Sequence, residues 1–213
     1  MTALKVVKPK LLAALAQEVD EPFKLEGFAR GKNGLIYKRK LNASVQEISF
    51  VSYWYPRYHP GAEAHIYPWF RVRMPEVSDM AIELVKGEVK LLAGANFIVT
   101  QPIEQAAPKG ERRQWYPTGE KEFVLACRSI VSFVRQWVFP LLSEFSTAED
   151  LVRIHETNDQ RITKQFHRYI YIAAAYCKMG QFEEARKLVN EKFGSPGPRR
   201  QYSMVFESLA ALE

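Results

Sequence analysis

Hydrophobic and polar residues alternate along two stretches of the chain, residues 44–55 and 64–74, which a short segment rich in turn residues separates. Such alternation places every second side chain on the same face of a β-strand, so each stretch predicts a strand with one apolar face. Proline and glycine between them predict that the strands form a long antiparallel hairpin. Its core face consists of the even-numbered apolar residues Ile48, Phe50, Trp54, Ile66, Phe70, Val72 and Met74.

The odd-numbered positions of the hairpin form an aromatic and basic face. A turn within residues 56–63 predicts that Tyr55 lies opposite His65 and Glu47 opposite Arg73, and such pairs contribute about 0.2–1 kcal/mol each. If helices cover both faces of the sheet, this face is a second core. If they cover only one, it is an exposed surface of tyrosine, tryptophan and arginine. Both interpretations stay open at this point.

Other apolar patterns complete an α+β prediction, because strands come first and helices afterwards. Further strands are predicted at 34–41 and 96–103, with another strand or hairpin near 111–120. We expect an N-terminal helix, a mainly antiparallel sheet of four to six strands, and a C-terminal helical region of four to five helices. No flexible linker interrupts the chain, so residues 1–213 are predicted to be one compact unit, with a sheet-containing part (1–118) and a helical part (119–213). Helical spacing predicts helices over about 9–19, 75–87, 120–139, 147–155, 161–179, 182–193 and 202–212.

The composition is that of an ordinary globular protein, with 47% hydrophobic and 25% charged residues in a chain of 213. We see no uninterrupted apolar run long enough to span a bilayer, and therefore expect a cytoplasmic protein without a membrane partner. Cys127 and Cys177 form no metal or disulfide motif and are expected to be small buried residues. The formal net charge of +6 permits an acidic partner but is modest for a dedicated nucleic-acid binder.

Familiar catalytic motifs are absent from the sequence. It contains no Walker A loop, GxGxxG, GxSxG or HExxH motif and no zinc-module cysteine spacing. We therefore predict a protein that is not an enzyme and that needs no cofactor. The trio His59, Glu63 and His65 has the donor types of a zinc site, but a turn with proline and glycine favours a solvated hairpin tip. We predict no metal site, and whether the trio binds metal stays open.

The aromatic and basic face is the first candidate binding surface, because tyrosine, tryptophan and arginine are enriched at binding hot spots. The predicted partner is another protein, and the oligomeric state is left open. As the alternative, a nucleic acid binds this face and the loop of Lys109, Arg112, Arg113 and Trp115, where cations contact phosphates and the indole stacks on a base. The residues predicted to bind a protein partner are Tyr53, Tyr55, Arg57, Tyr58, His65, Tyr67, Trp69, Arg71 and Arg73.

Loose motifs in about two thirds of the chain resemble the bacterial family called Domain of Unknown Function 4304. They are Gly27-Phe28 followed by the strand with Tyr37-Lys38-Arg39, and Phe139-Pro140-Leu141-Leu142 before the segment Thr147 to Leu151. The family name carries no activity. Some bacterial families of this general kind are similar to immunity proteins that neutralise toxins, which implies a toxin as the partner class.

A second, local resemblance covers residues 173–189. Tyr176, Gly180 and Ala185 lie where a tetratricopeptide-type helical hairpin has its packing and turn residues. No second copy follows at the period of about 34 residues that a solenoid needs. We therefore predict a single helical hairpin packed with small residues.

Overall fold

The computed structural model describes residues 3–92 and 97–212, and it has one antiparallel sheet of five strands with helices before and after it. The α+β prediction is confirmed. The strands follow one another across the sheet in chain order, and short connections join all of them except the last pair, which residues 74–98 connect. They are β1 Ala29–Arg30, β2 Ile36–Leu41, β3 Ser44–Trp54, β4 Ala64–Arg73 and β5 Val99–Pro102.

Ten α-helices are described in these ranges, together with three short 3₁₀ helices at Val89–Leu92, Ile103–Ala106 and Lys109–Glu111. The predicted N-terminal helix is present and begins earlier than expected. The helices are α1 Ala3–Glu18, α2 Asp20–Leu25, α3 Pro75–Leu84, α4 Glu120–Phe133, α5 Phe139–Ser143, α6 Ala148–Glu156, α7 Arg168–Lys178, α8 Phe182–Phe193, α9 Pro196–Gln201 and α10 Ser203–Ala210.

The chain divides into two compact units, and the division does not follow a boundary at residue 118. The first unit takes in residues up to 40, 46–71 and 100–144. The second takes in residues 41–45, 72–99 and the chain from 145 onward. Helices α4 and α5 therefore belong with most of the sheet.

Aromatic side chains fill the core of the first unit. The Phe23 ring centroid lies 5.0 Å from that of Tyr37, 5.2 Å from Phe139 and 6.2 Å from Phe50. Phe50 and Phe70 are both fully buried, as the even-numbered pattern predicted. The even face of the hairpin is thus the face that packs into the core, and the odd face points the other way.

Helix α4 leads into a single π turn, Val134–Val138, before α5 begins. Phe139 donates its backbone N–H to the carbonyl oxygen of Val134, five residues back. Pro140 follows at once, near the position where the sequence predicted an end or a kink. Pro140 has no N–H to donate to the helix. The π turn before it accommodates this loss, because the regular pattern of i to i−4 hydrogen bonds is already interrupted there.

The stretch Glu120–Ser143 is long and apolar enough to cross a membrane, the only such stretch in the ranges 3–92 and 97–212. Uninterrupted apolar runs did not reveal it, since Arg128 and Arg135 divide it. Core helices of soluble proteins pass the same test. Phe123 and Ile130, both fully buried, fit that description. The stretch is weak evidence for a membrane span.

The second unit contains α3 and the helices from α6 onward. A capping box begins α6: the Thr147 side chain accepts from the Asp150 N–H, and the Asp150 side chain accepts from the Thr147 N–H. Helix α7 begins at Arg168, not near 161, because Asn158 has a positive φ of 53° and Asp159 pairs with Arg161 in an irregular segment. Residues 196–201, which lie between the predicted helices 182–193 and 202–212, form the short helix α9.

Candidate functional site

The strands of the hairpin pair two residues away from the predicted register. The Tyr55 N–H donates to the Glu63 carbonyl oxygen at 2.9 Å, and the Arg71 guanidinium donates to the Glu47 carboxylate at 2.7 Å. The predicted pairs of Tyr55 with His65 and of Glu47 with Arg73 are therefore wrong. A shift of two preserves the faces, because side chains alternate with a period of two.

One end of the odd face is open. Tyr53 and Tyr55 are each 51% exposed and Tyr58 is 64% exposed, while Arg57 is exposed and Tyr67 and Trp69 are half-buried. At the other end of the same face, Glu47 and Ser49 are buried, so the odd face is not exposed along its whole length. We call the open part, residues Tyr53, Tyr55, Arg57, Tyr58, Tyr67 and Trp69, the tyrosine surface.

A second segment runs along the outer edge of β4 and completes this surface. The N–H of Ile66 donates to the Trp115 carbonyl oxygen at 2.9 Å, and the N–H of Glu63 donates to the Pro117 carbonyl oxygen at 2.9 Å. This pairing places Trp115 and Tyr116 in extended backbone, where successive side chains point to opposite faces. Trp115 is consequently buried, and Tyr116 reaches the tyrosine surface.

The imidazole rings of His59 and His65 both stack on the Tyr116 ring. The Tyr116 ring centroid lies 4.1 Å from His59 at an interplanar angle of 9°, and 4.4 Å from His65 at 28°. The Tyr58 hydroxyl lies 2.8 Å from His65 Nδ1, and the Tyr53 ring lies 6.0 Å from the His65 ring. These contacts hold the hairpin tip by ring packing. The sequence-based prediction of the binding surface named His65 but not Tyr116. The signal for Tyr116 is its position directly after Trp115: in an extended segment, a residue next to a buried one points to the opposite face.

His65 is buried, at 7% exposure, and one of its nitrogens is unused. Its Nε2 is buried without a hydrogen-bond partner among the residues that the structure describes. Burial, and then the neighbouring His59, lower the pKa of His65, so the ring is neutral at pH 7.

Glu104 gives the surface a second unused atom. Its Oε1 accepts from the Tyr67 hydroxyl at 3.4 Å, and its Oε2 is buried without a partner in the ranges 3–92 and 97–212. Burial raises the pKa of Glu104, while the Tyr67 hydrogen bond and Arg112 oppose that rise. Burial, and the Glu104 charge beside the hydroxyl, raise the pKa of Tyr67 to about 12. Tyr67 is therefore a neutral hydrogen-bond donor.

The trio considered as a metal site is not brought together for that purpose. Lys10 Nζ contacts both carboxylate oxygens of Glu63 at 2.7 Å, while His59 stacks on Tyr116. Within the described residues, no group of three or more metal-ligating side chains is arranged to hold an ion.

The two cysteines are buried. Burial raises the pKa of the Cys127 thiol to about 12, and that of Cys177 to about 11, so neither is a thiolate nucleophile at neutral pH.

Two predicted arginines do not join the tyrosine surface as free charges. Arg71 is half-buried and pairs with Glu47, whose second carboxylate oxygen lies 3.1 Å from Lys38 Nζ. That network gives Arg71 a structural role in the sheet, and its predicted contact with a partner stays a prediction. Arg73 belongs to the second unit, and its Nε is buried without a hydrogen-bond partner among the described residues.

The basic loop predicted for nucleic acid keeps its cations but loses its stacking residue. Lys109, Arg112 and Arg113 are exposed. Trp115 is 5% exposed, its indole N–H donates to the Ser129 hydroxyl at 3.1 Å, and its ring packs 5.7 Å from Phe133. Trp115 cannot stack on a base without leaving the core, so its predicted role is wrong.

No family model, no curated protein and no solved structure matches this chain. The resemblances to the Domain of Unknown Function 4304 family and to a tetratricopeptide-type hairpin therefore stay predictions.

Proposed function

We propose that this chain is a non-enzymatic protein that binds another protein through the tyrosine surface. The observation that carries the proposal is the exposure of Tyr53, Tyr55 and Tyr58, each by half or more, beside one packed histidine–tyrosine stack. Tyrosine offers a large contact area with few rotatable bonds, so ordering it on binding costs little entropy. The half-buried Trp69 adds an anchor of the residue type most enriched at hot spots.

Two buried atoms of the site, His65 Nε2 and Glu104 Oε2, have no hydrogen-bond partner among the described residues. Both are already shielded from water in the free chain, so a partner that covers them adds no new desolvation cost. Selection of a partner therefore depends on the exposed groups of the tyrosine surface.

The narrower form of this proposal makes the partner a toxin and the chain a cytoplasmic, immunity-type protein. It is supported by the family resemblance alone, because no residue of the tyrosine surface distinguishes a toxin from another protein.

The proposal is tested by placing a photo-crosslinking amino acid at Tyr55 and at Tyr58 of the full chain in the cell that produces it. Leu125 on α4, also a large exposed apolar residue, is the matched control position. We expect one protein to be crosslinked from both tyrosine positions and not from Leu125. The purified partner must then bind the wild-type chain at a fixed stoichiometry. Equal crosslinking from Leu125, or no crosslinked protein at either tyrosine, contradicts the proposal.

Nucleic-acid binding is the alternative function, favoured by the exposed cations Lys109, Arg112 and Arg113. Without Trp115 as a stacking residue, stacking on bases is left to the exposed tyrosines of the aromatic and basic face, and the loop supplies phosphate contacts. Such contacts weaken steeply as salt concentration rises, which separates the two functions in one titration.

A further inference from the structure

A cavity of about 210 Å³ lies in the second unit, within the part formed by α6, α7, α8 and the irregular segment 157–167. Its lining includes three cations, Lys164, Arg168 and Lys192. His155 and Asn158 add hydrogen-bonding groups, and Asp159 is the one carboxylate among its described lining residues. The cavity is polar and positively charged, and the protein-binding proposal makes no use of it.

Arg168 is the feature that calls for an explanation. Its side chain opens into the cavity from the first residue of α7, and the residue is only 8% exposed. Its guanidinium donates to the Thr163 carbonyl oxygen at 2.9 Å, and it forms no ion pair with any carboxylate of the described chain. A buried guanidinium without a counterion is costly, so proteins pair such groups with an anion.

The single carboxylate of the lining is already neutralised. Asp159 Oδ2 lies 2.6 Å from an Arg161 terminal nitrogen, and Asp159 Oδ1 also accepts from Arg161 Nε at 3.0 Å. Its field still acts on Arg168, but because Asp159 pairs with Arg161 and Lys192 pairs with Glu191, Lys164 and Arg168 remain as the lining cations in excess.

The charges at the cavity also affect His155. Burial lowers the pKa of His155, and the charges of Arg168 and Lys192 lower it further, while Glu156 and Glu191 oppose this shift. His155 is therefore neutral at pH 7 and can donate one N–H. The Lys192 ammonium lies 5.2 Å from the Tyr169 ring centroid, a cation–π contact that holds it at the cavity, although it also pairs with Glu191.

We propose that this cavity binds a phosphate group, either as inorganic phosphate or as the head of a small phosphomonoester. The planar guanidinium of Arg168 matches two phosphate oxygens, and Lys164 and Lys192 act as point charges on the others. Asn158 and His155 add hydrogen bonds of the kind that fix orientation. The volume lies below the roughly 300–1,000 Å³ of sites for drug-sized ligands, which limits the organic part to a few atoms.

Isothermal titration of the full chain with sodium phosphate, and separately with glycerol phosphate, tests the proposal at constant ionic strength in sodium chloride. We expect saturable 1:1 binding of at least one probe, and tighter binding of glycerol phosphate identifies a phosphomonoester site. Amide and arginine Nε–H signals in NMR spectra should shift at Arg168 and Lys192 as the probe is added.

Lys192→Gln should weaken binding at least tenfold, since it removes one charge from the cavity while its half-buried side chain is not part of the core. Lys187→Gln on the same helix is the matched control, because Lys187 is exposed and does not line the cavity. It should bind like the wild type. Arg168→Gln should abolish binding, and Lys192→Gln, checked for native circular dichroism, keeps the test valid if the Arg168 variant does not fold.

No saturable binding of either probe overturns the proposal, as does binding that Lys192→Gln leaves unchanged. An equal loss in Lys187→Gln also overturns it, because that result indicates attraction by overall charge.

Discussion

At the scale of one residue, the face of the strand on which a side chain lies decides how much that side chain contributes to stability, and Phe50 is an example. Phe50 and Phe70 are fully buried on the even face of the hairpin, whereas Tyr53 lies on the odd face and is half exposed. Replacing Phe50 or Phe70 by alanine should cost about 3–5 kcal/mol of unfolding free energy, the usual result for a buried aromatic. Tyr53→Ala should change it by about 0.5 kcal/mol or less. Chemical denaturation measures all three variants, and similar values for Phe50→Ala and Tyr53→Ala would contradict this assignment of faces.

Glu104 gives a prediction whose sign depends on pH. Its pKa is raised in the folded state, mainly by burial, so the folded chain holds that proton more tightly than the unfolded chain does. The stability associated with this proton is present below the unfolded pKa of about 4.5, and it is lost as pH rises through the folded pKa. Glu104→Gln removes the buried charge and keeps an acceptor for Tyr67. It should therefore stabilise the protein at pH 7 by about 0.5–2 kcal/mol, the usual range for a stabilising substitution.

The control for Glu104 is Glu111→Gln, because Glu111 is exposed. Melting temperatures at pH 7 and pH 4 provide the measurement. The gain from Glu104→Gln should shrink towards zero at pH 4, and Glu111→Gln should have little effect at either pH. A gain that is the same at both pH values would show that burial of the charge is not its cause.

At the scale of elements, the start of α6 is fixed by side-chain hydrogen bonds at Thr147 and Asp150. Thr147→Ala removes the acceptor for the Asp150 N–H and should cost about 1 kcal/mol. Ser195 precedes α9 but makes no side-chain capping bond, so Ser195→Ala is the matched control and should be close to neutral. Thermal denaturation compares the two. If they lose the same stability, the capping box does not stabilise α6.

Sequence patterns predicted the elements whose signal is local. The alternation of apolar and polar residues predicted the hairpin and placed Phe50 and Tyr53 on opposite faces, because the period of two depends on backbone geometry alone. The register was missed by two residues, since the turn sets it. Tyr55, with a positive φ of 48°, pairs with Glu63 at the end of the hairpin. The helix predicted from residue 161 begins later, because Asn158 and the pair of Asp159 with Arg161 hold an irregular segment.

The candidate site was only partly predictable for a related reason. Tyr53 and Tyr55 follow from alternation, but Glu104 and Tyr116 come from a later segment that meets β4 through long-range contacts. No spacing within that segment indicates that it pairs with β4. A basic loop before Trp115 predicted stacking on a nucleic acid. The single bridge of Trp115 with Ile66 instead turns that indole towards the core.

At the scale of the whole molecule, the affinity for a protein partner should depend on the surface area that binding buries and not on the net charge of the chain. Trp69→Ala should weaken the affinity for a protein partner by about 2 kcal/mol or more, as truncation of a hot spot does. Leu125→Ala, on α4, should leave the affinity unchanged. Surface plasmon resonance with the crosslinked partner measures both, alongside melting temperatures. Should Trp69→Ala lower stability and leave affinity intact, the half-buried indole is a structural residue and the partner binds elsewhere.

The net charge of +6 makes a separate prediction about salt. If Lys109, Arg112 and Arg113 contact three phosphates of a single strand, affinity should fall about 20-fold between 50 and 200 mM salt. Binding through the tyrosine surface should change far less over the same range. Fluorescence anisotropy with a labelled oligonucleotide measures the first and partner titration the second. A fall of this size in oligonucleotide affinity, together with no binding of a protein partner, would favour the nucleic-acid function over the protein-binding one.

The π turn between α4 and α5 changes the phase of the helix that contains it. A regular α-helix advances about 100° per residue, so one added residue rotates everything after it by that angle relative to everything before it. Arg135 and Gln136 are exposed in the wide turn, while Phe139, Leu141 and Leu142 beyond it are buried with Phe123 and Ile130. The apolar stripe therefore crosses Pro140 without leaving the core. Residues 120–143 are therefore two helical segments offset by one residue, and a regular α-helix with the same sequence would turn Phe139, Leu141 and Leu142 about 100° away from the face of Phe123 and Ile130.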